Sequence, residues 1–113
     1  MYTYRVIKID RVIDGDTVDA ILDLGFDITI KQRLRIIGID TPELRSRDVE
    51  ERLKARAAKD FAEKWLTTNG PFVVTTFKGD KYGRMLGDFR TEHGSESFAE
   101  AILSSGHANV YGG

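Results

Sequence analysis

The stretch Ile28-Thr29-Ile30-Lys31-Gln32-Arg33-Leu34-Arg35-Ile36-Ile37-Gly38-Ile39-Asp40-Thr41-Pro42-Glu43 decides how the chain reads. Ile28, Ile30, Leu34 and Ile36 share one parity, and Lys31, Arg33 and Arg35 share the other. Successive strand side chains point to opposite faces, so this alternation predicts a strand with one apolar and one cationic face. The strand runs out into a carboxylate, a hydroxyl, a proline and a second carboxylate, Asp40 to Glu43. Taken alone, that ending also suits a strand leading into a helix-starting turn.

Working outward, two further strands are predicted on the N-terminal side. Residues Tyr4 to Val12 mix Val, Ile and Tyr with polar positions, and Thr17 to Leu24 spaces Val18, Ala20, Leu22 and Leu24 by two, with Gly25 offering a turn. On the C-terminal side the period changes. Val49, Leu53, Ala57, Phe61 and Trp65 recur every four residues, with Ala58, Ala62 and Leu66 widening the stripe, which predicts an amphipathic helix. Ser46 or Asp48 can cap its start. Asn69-Gly70-Pro71 ends it, because proline cannot continue a helix and glycine suits a left-handed residue.

Phe72 to Phe77 then reads as a strand, Lys78 to Gly83 as a loop and Met85 to Arg90 as a strand. Ser97-Phe98-Ala99-Glu100 has capping-box spacing and opens a short helix through Leu103, closed near Gly106 and followed by an extended piece, His107 to Tyr111. Three strands, a helix, a returning pair of strands and a short helix predict an α+β, mainly β fold. Its expected form is a five-stranded OB-type barrel with two helices, whose closure removes sheet edges that would invite aggregation.

At 113 residues and 41% hydrophobic content, residues 1–113 are expected to form one globular domain. The absence of cysteine excludes disulfides, thiolate metal sites and a catalytic thiol. The first five residues lack an export signal and nothing later is apolar enough to span a bilayer, so no membrane partner is expected. A processed secreted form would read the same way, and the compartment stays open. A formal net charge of -1 argues against a protein that coats nucleic acid through a broad basic surface. An enzyme needs only a local cluster of cations. A monomer is expected.

Three clusters carry chemistry. Asp14-Gly15-Asp16-Thr17 lies between two predicted strands and on its own reads as a turn. The second cluster runs from Arg35 to Glu43, and the third is Asp80-Lys81-Tyr82-Gly83-Arg84, alone a charged loop. In this order and at these separations the three together resemble the staphylococcal nuclease (thermonuclease) family, from Val12 to about Tyr111. The resemblance implies an OB barrel with helices, one Ca²⁺ ion, and cleavage of DNA and RNA. By that resemblance Asp16 and Asp40 are carboxylate metal ligands and Thr41 ligates through its backbone carbonyl. Glu43 is the general base for an attacking water, and Arg35 and Arg84 bind the scissile phosphate. Lys81, Tyr82 and Tyr111 lie on the substrate side.

Independent chemistry agrees with this assignment. A site offering carboxylate and carbonyl oxygen, without His or Cys, suits a hard cation of flexible coordination such as Ca²⁺, with Mg²⁺ or Mn²⁺ as alternatives. Planar guanidinium groups match the charge that phosphoryl transfer spreads over nonbridging oxygens. His93 and His107 have no partner spacing for a metal or a triad. The segment Leu44 to Asp48 lacks the longer Lys-, Pro- and Gly-containing loop of the best-known family member, and that relative continues past Gly113 into another helix. Two other readings stand beside the nuclease: a noncatalytic nucleic-acid-binding OB module, and a protein-interaction barrel.

Overall fold

The computed structural model describes residues 1–79 and 81–111. Asp80 of the third cluster and Gly112 and Gly113 lie outside the described residues. The chain folds in the order β1 (Tyr2–Asp14), β2 (Thr17–Asp23), β3 (Thr29–Ile36), β4 (Ile39–Asp40), α1 (Val49–Thr68), β5 (Phe72–Phe77), β6 (Met85–Thr91), α2 (Phe98–Ser104) and β7 (Asn109–Val110). No helix among the described residues is long and apolar enough to cross a membrane.

Five strands close a barrel in the order β1-β2-β3-β6-β5, with β5 pairing back onto β1. All these pairings are antiparallel except β3 with β6, where Leu34, Arg35 and Ile36 lie opposite Met85, Leu86 and Gly87. That parallel pair is possible because the intervening chain is long enough to cross over through α1 and β5. This is the expected mainly β OB architecture. β1 reaches around the barrel because its register against β2 shifts three times, at Val6/Lys8, Ile9/Arg11 and Val12/Asp14, and each irregularity bends the strand.

Inward side chains of the strands meet the two helices in one core, where Val18, Leu34, Ile36, Ile39, Val74, Phe89, Phe98 and Ile102 are almost inaccessible. Each such side chain contributes roughly 1.5–3 kcal/mol relative to exposure. Trp65 of α1 stacks on Phe72 at 5.4 Å and tilts against Phe98 at 5.7 Å, which joins α1, β5 and α2. α2 is held from below by Asp88, whose carboxylate accepts from the Ser97 hydroxyl and, at 3.0 Å, from the Ala99 amide. Burial pushes Asp88 above the ordinary carboxylate range, against the lowering effect of those donors.

Three local expectations are corrected. The buried face of α1 is Ala55, Ala58, Ala62 and Leu66, whereas Val49 and Leu53 are 59% and 67% exposed. A strict four-residue spacing drifts by about 40° per step around a helix of 3.6 residues per turn, so such a stripe spirals away from the core. Asp48 is the N-cap, accepting from the Glu50 amide at 3.0 Å. At the other end, Asn69 rather than a left-handed Gly70 closes the helix, donating to the Trp65 carbonyl from its amide nitrogen at 3.1 Å and its side chain at 3.0 Å.

The third correction concerns β3, where Leu34 and Ile36 enter the core but Ile28 and Ile30 are exposed. The apolar parity is continuous, yet the hairpin outruns the barrel that would cover it. The expected extended piece from His107 to Tyr111 contains β7, whose pairing with β4 no two-residue pattern announces; it sets Ile39 opposite Val110 and Asp40 opposite Asn109.

Candidate active site

The turn between β1 and β2 is tight because Asp14 accepts a hydrogen bond from the Asp16 amide at 3.1 Å, a local side-chain turn. Gly15 lets that turn press against the rest of the protein. A Cβ there would sit 2.8 Å from Thr41 Cγ2 and 3.0 Å from the Ala58 Cβ of α1. The Asp16 carbonyl accepts from the Ile36 amide at 2.8 Å, which locks the turn to the end of β3. Asp16, Arg35 and Thr41 are thereby all buried.

Arg35 lies between Thr17 of β2 and Leu86 of β6 in the barrel wall. Its guanidinium is shared: Nη1 stands 3.4 Å from Asp16 Oδ2, and Nη2 stands 3.4 Å from Asp40 Oδ1. Nη1 also donates to the Ile36 carbonyl at 3.0 Å. Both carboxylate separations exceed the roughly 2.7–2.9 Å of a closed charge-assisted bond. Asp16 Oδ2 further accepts from the Thr41 amide at 3.1 Å, and Asp16 Oδ1 accepts from the Thr17 hydroxyl at 3.1 Å. The Asp40 side chain is 57% exposed, so the cluster has a buried acid on one side of Arg35 and a solvent-facing acid on the other.

The electrostatics divide the two neighbouring acids. Burial alone would raise Asp16. The hydrogen bond with Asp14, the charge of Arg35, the Thr41 amide and the Thr17 hydroxyl together hold it below the usual carboxylate range. Asp14 has the weaker support, and burial followed by its hydrogen bond to Asp16 and the negative charge there pushes it up to about 7. The pair therefore keeps one proton, on Asp14, across the mildly acidic range. Asp14 is the member of the cluster that sequence reasoning passed over, because Asp-Gly is first of all a turn. The available signal was the second acid two residues before Asp16.

The arginines open onto shared space. A cavity of about 530 Å³ is lined by Arg35, Lys81, Tyr82, Arg84 and Tyr111 over apolar residues that include Ile37 and Leu86. Tyr111 reaches it because its amide donates to the Gly38 carbonyl at 3.0 Å, next to the β4-β7 pairing, and Arg35 then lies 5.7 Å from its ring centre. Tyr82 is flanked by Lys81 at 5.4 Å and Arg84 at 5.2 Å from its ring centre, both within cation-π range. Arg35 and Arg84 also line a second, smaller groove of about 230 Å³ with Thr17, Gln32, Arg33, Gly83 and Met85.

Among the sequence-derived site residues, Asp16, Arg35, Asp40 and Thr41 come into direct contact, and Arg35, Lys81, Tyr82, Arg84 and Tyr111 share one cavity. Glu43 is exposed on the loop before α1, its carbonyl accepts from the Ser46 amide at 3.3 Å, and like Asp16, Asp40 and Thr41 it lines neither cavity.

The donor set fits a hard cation. Even with Asp14 protonated, Asp16 and Asp40 outweigh the single charge of Arg35, and every donor is oxygen. Among the described residues no three carboxylate or imidazole side chains gather at ligating distance, so a cation here would rest on Asp16, Asp40 and a backbone carbonyl such as that of Thr41, with other oxygens completing its shell.

Residues 33–112 match a family model described as staphylococcal nuclease homologue. A thermonuclease of Staphylococcus hyicus is 36% identical over 109 residues, covering 96% of this chain and 59% of the relative. An uncharacterized endonuclease of Escherichia coli O157:H7 is 32% identical over 104 residues, covering 92% of this chain and 60% of the relative. The endonuclease YhcR of Bacillus subtilis is 28% identical over 110 residues, 91% of this chain but 9% of that protein. The chain thus spans about three-fifths of the length of the first two.

Proposed function

This chain belongs to the staphylococcal nuclease family, and we propose that it is a Ca²⁺-dependent nuclease that hydrolyses phosphodiester bonds in DNA and RNA. One observation carries this reading: a buried arginine, Arg35, is held loosely between Asp16 and Asp40 and opens with Arg84 onto the same cavity. An arginine placed only for stability would close on one carboxylate. Arg35 instead keeps hydrogen-bonding capacity facing a space edged by a second guanidinium and two tyrosines.

In this reading Asp16, Asp40 and the Thr41 carbonyl hold the cation. When bound, a divalent ion acidifies and orients water and withdraws charge from the phosphoryl oxygens. Arg35 and Arg84 grip the nonbridging oxygens, which gain charge as the transition state forms, and a fixed guanidinium stabilises that charge without reorganising. Tyr82 and Tyr111 offer flat faces to a base or sugar, and Lys81 a charge to a neighbouring phosphate. Glu43 accepts the proton of the attacking water from the exposed loop that follows Thr41, a hydrogen bond of the kind that tightens in the complex with substrate. DNA and RNA are both proposed as substrates because Arg35, Arg84 and the tyrosines engage phosphate and ring faces common to the two.

Incubating the purified chain with single-stranded DNA, duplex DNA and RNA, with Ca²⁺ or with a chelator, tests the proposal. Degradation with Ca²⁺ and none with chelator is expected. Substrates left intact across Ca²⁺, Mg²⁺ and Mn²⁺ would overturn it in favour of a binding module.

A further inference from the structure

The smaller groove adjoins the tyrosine-lined cavity, because Arg35 and Arg84 are common to both linings. A phosphodiester carries a nucleoside on each side of its phosphorus. If Arg35 and Arg84 hold the phosphate, one nucleoside enters the larger cavity and the chain must leave across the groove formed by Thr17, Gln32, Gly83 and Met85. Those residues suit a nucleotide. Met85 adds apolar surface to the lining, and Thr17, directly opposite Arg35 in the sheet, lies on the same face as Arg35 and Arg33.

Arg33 stands at the rim. It shares the parity of Arg35 on β3, so the two side chains leave the same face of the strand about 7 Å apart along it. That is the scale on which successive phosphates follow one another in an extended single strand. Arg33 is also prepositioned: Nε and Nη2 bond to Asp19 at 2.8 and 3.1 Å, and its side chain remains 62% exposed. Nη1 is engaged in no hydrogen bond among the described residues. Lys31 and Arg11 add positive charge around the same aspartate.

We propose that this groove is a second nucleotide subsite, and that Arg33 binds the phosphate next to the scissile one. The inference rests on the nuclease reading and extends it to substrate length: polynucleotides are preferred over minimal esters because they reach Arg33.

The test compares a p-nitrophenyl ester of thymidine phosphate, which has a nucleoside on one side only, with a thymidine oligonucleotide. Arg33→Ala should lower kcat/KM for the oligonucleotide about tenfold more than for the ester, the loss of one charged hydrogen bond. The salt dependence of KM for the oligonucleotide should fall by about 0.7 in logarithmic slope, and Arg33→Lys should recover part of the loss. Removing Arg33 strands the buried Asp19 charge, so Asp19→Asn/Arg33→Ala is measured beside it, with thermal melts of both. Equal losses on the two substrates, or no loss on the oligonucleotide in a folded variant, would overturn the subsite. Wild-type protein that cleaves neither substrate would instead remove the nuclease reading beneath it.

Discussion

The two ends of the β2-β3 hairpin break the usual rule of burial in opposite directions. At the end facing the Asp14–Thr17 turn, Asp16 and Arg35 are buried. At the far tip, Phe26 is 98% exposed with a φ of 55°, and Leu24, Ile28 and Ile30 are exposed with it. Buried charge is costly unless partners are built around it, and here they are: an amide, a hydroxyl, a guanidinium and a backbone carbonyl converge on two side chains. Exposed apolar groups need no such construction. The charged end is therefore where the fold has been shaped by something other than stability.

Substitutions sharpen this contrast, and the largest effects are expected at the charged end. Arg84→Ala and Glu43→Gln should leave the thermal melt near that of wild type while lowering Ca²⁺-dependent turnover about 100- to 1000-fold, the typical loss of one positioned electrostatic or proton-transfer group. Arg35→Ala should do both kinds of damage, because Asp16 is left buried without its cation, at roughly 3–5 kcal/mol in a denaturant melt. Wild-type rates in Arg84→Ala and Glu43→Gln would refute their assigned roles.

Next in size is Gly15→Ala. The new Cβ would meet Thr41 and Ala58 at 2.8 and 3.0 Å, and forcing the turn away from α1 should cost about 1–3 kcal/mol by urea titration. An unchanged midpoint would mean that the turn is not clamped as described.

A pH series probes the buried acids. In chelator, folded Asp14 keeps its proton to about pH 7, whereas the unfolded chain releases it near about 3.9. The folded state then binds more protons between those values, so stability falls as pH rises across that interval. Asp16, held below the usual range, acts in the opposite sense, and its contribution is lost as pH falls through its folded value. Asp14→Asn should reduce the first limb in thermal melts, leaving the part that the raised Asp88 contributes with the same sign, and keep the second. The smallest effect belongs to the far tip, where Phe26→Ser should move stability by no more than about 0.5 kcal/mol.

Much of this was legible in the sequence because it is periodic or punctuated. Strand alternation in β2 and β3, the helical pattern from Val49 and the Asn69-Gly70-Pro71 stop are local signals, and barrel closure followed from their order. Strand-end motifs also pointed to Asp16, Arg35, Asp40 and Thr41, which the fold brings into contact. What escaped was tertiary. The packing of the Asp14–Thr17 turn depends on Ala58 and Thr41 closing over Gly15, and no spacing in the turn announces that. The exposure of Ile28 and Ile30 depends on where the barrel ends along a strand whose parity never changes. The β4-β7 pair that brings Tyr111 beside Arg35 is too short to carry a pattern. The position of Glu43 outside both cavities belongs to a loop conformation rather than to the motif that contains it.

Calorimetric titration of Ca²⁺ into the wild-type chain and into Asp40→Asn tests the central claim most directly, because Asp40 is the exposed acid of the cluster and can be changed without burying a new defect. One saturable ion per chain is expected in wild type, with binding weakened or lost in Asp40→Asn while the melting curve stays in place. Absence of binding in wild type, or equal affinity in both, would contradict a cation held between Asp16 and Asp40.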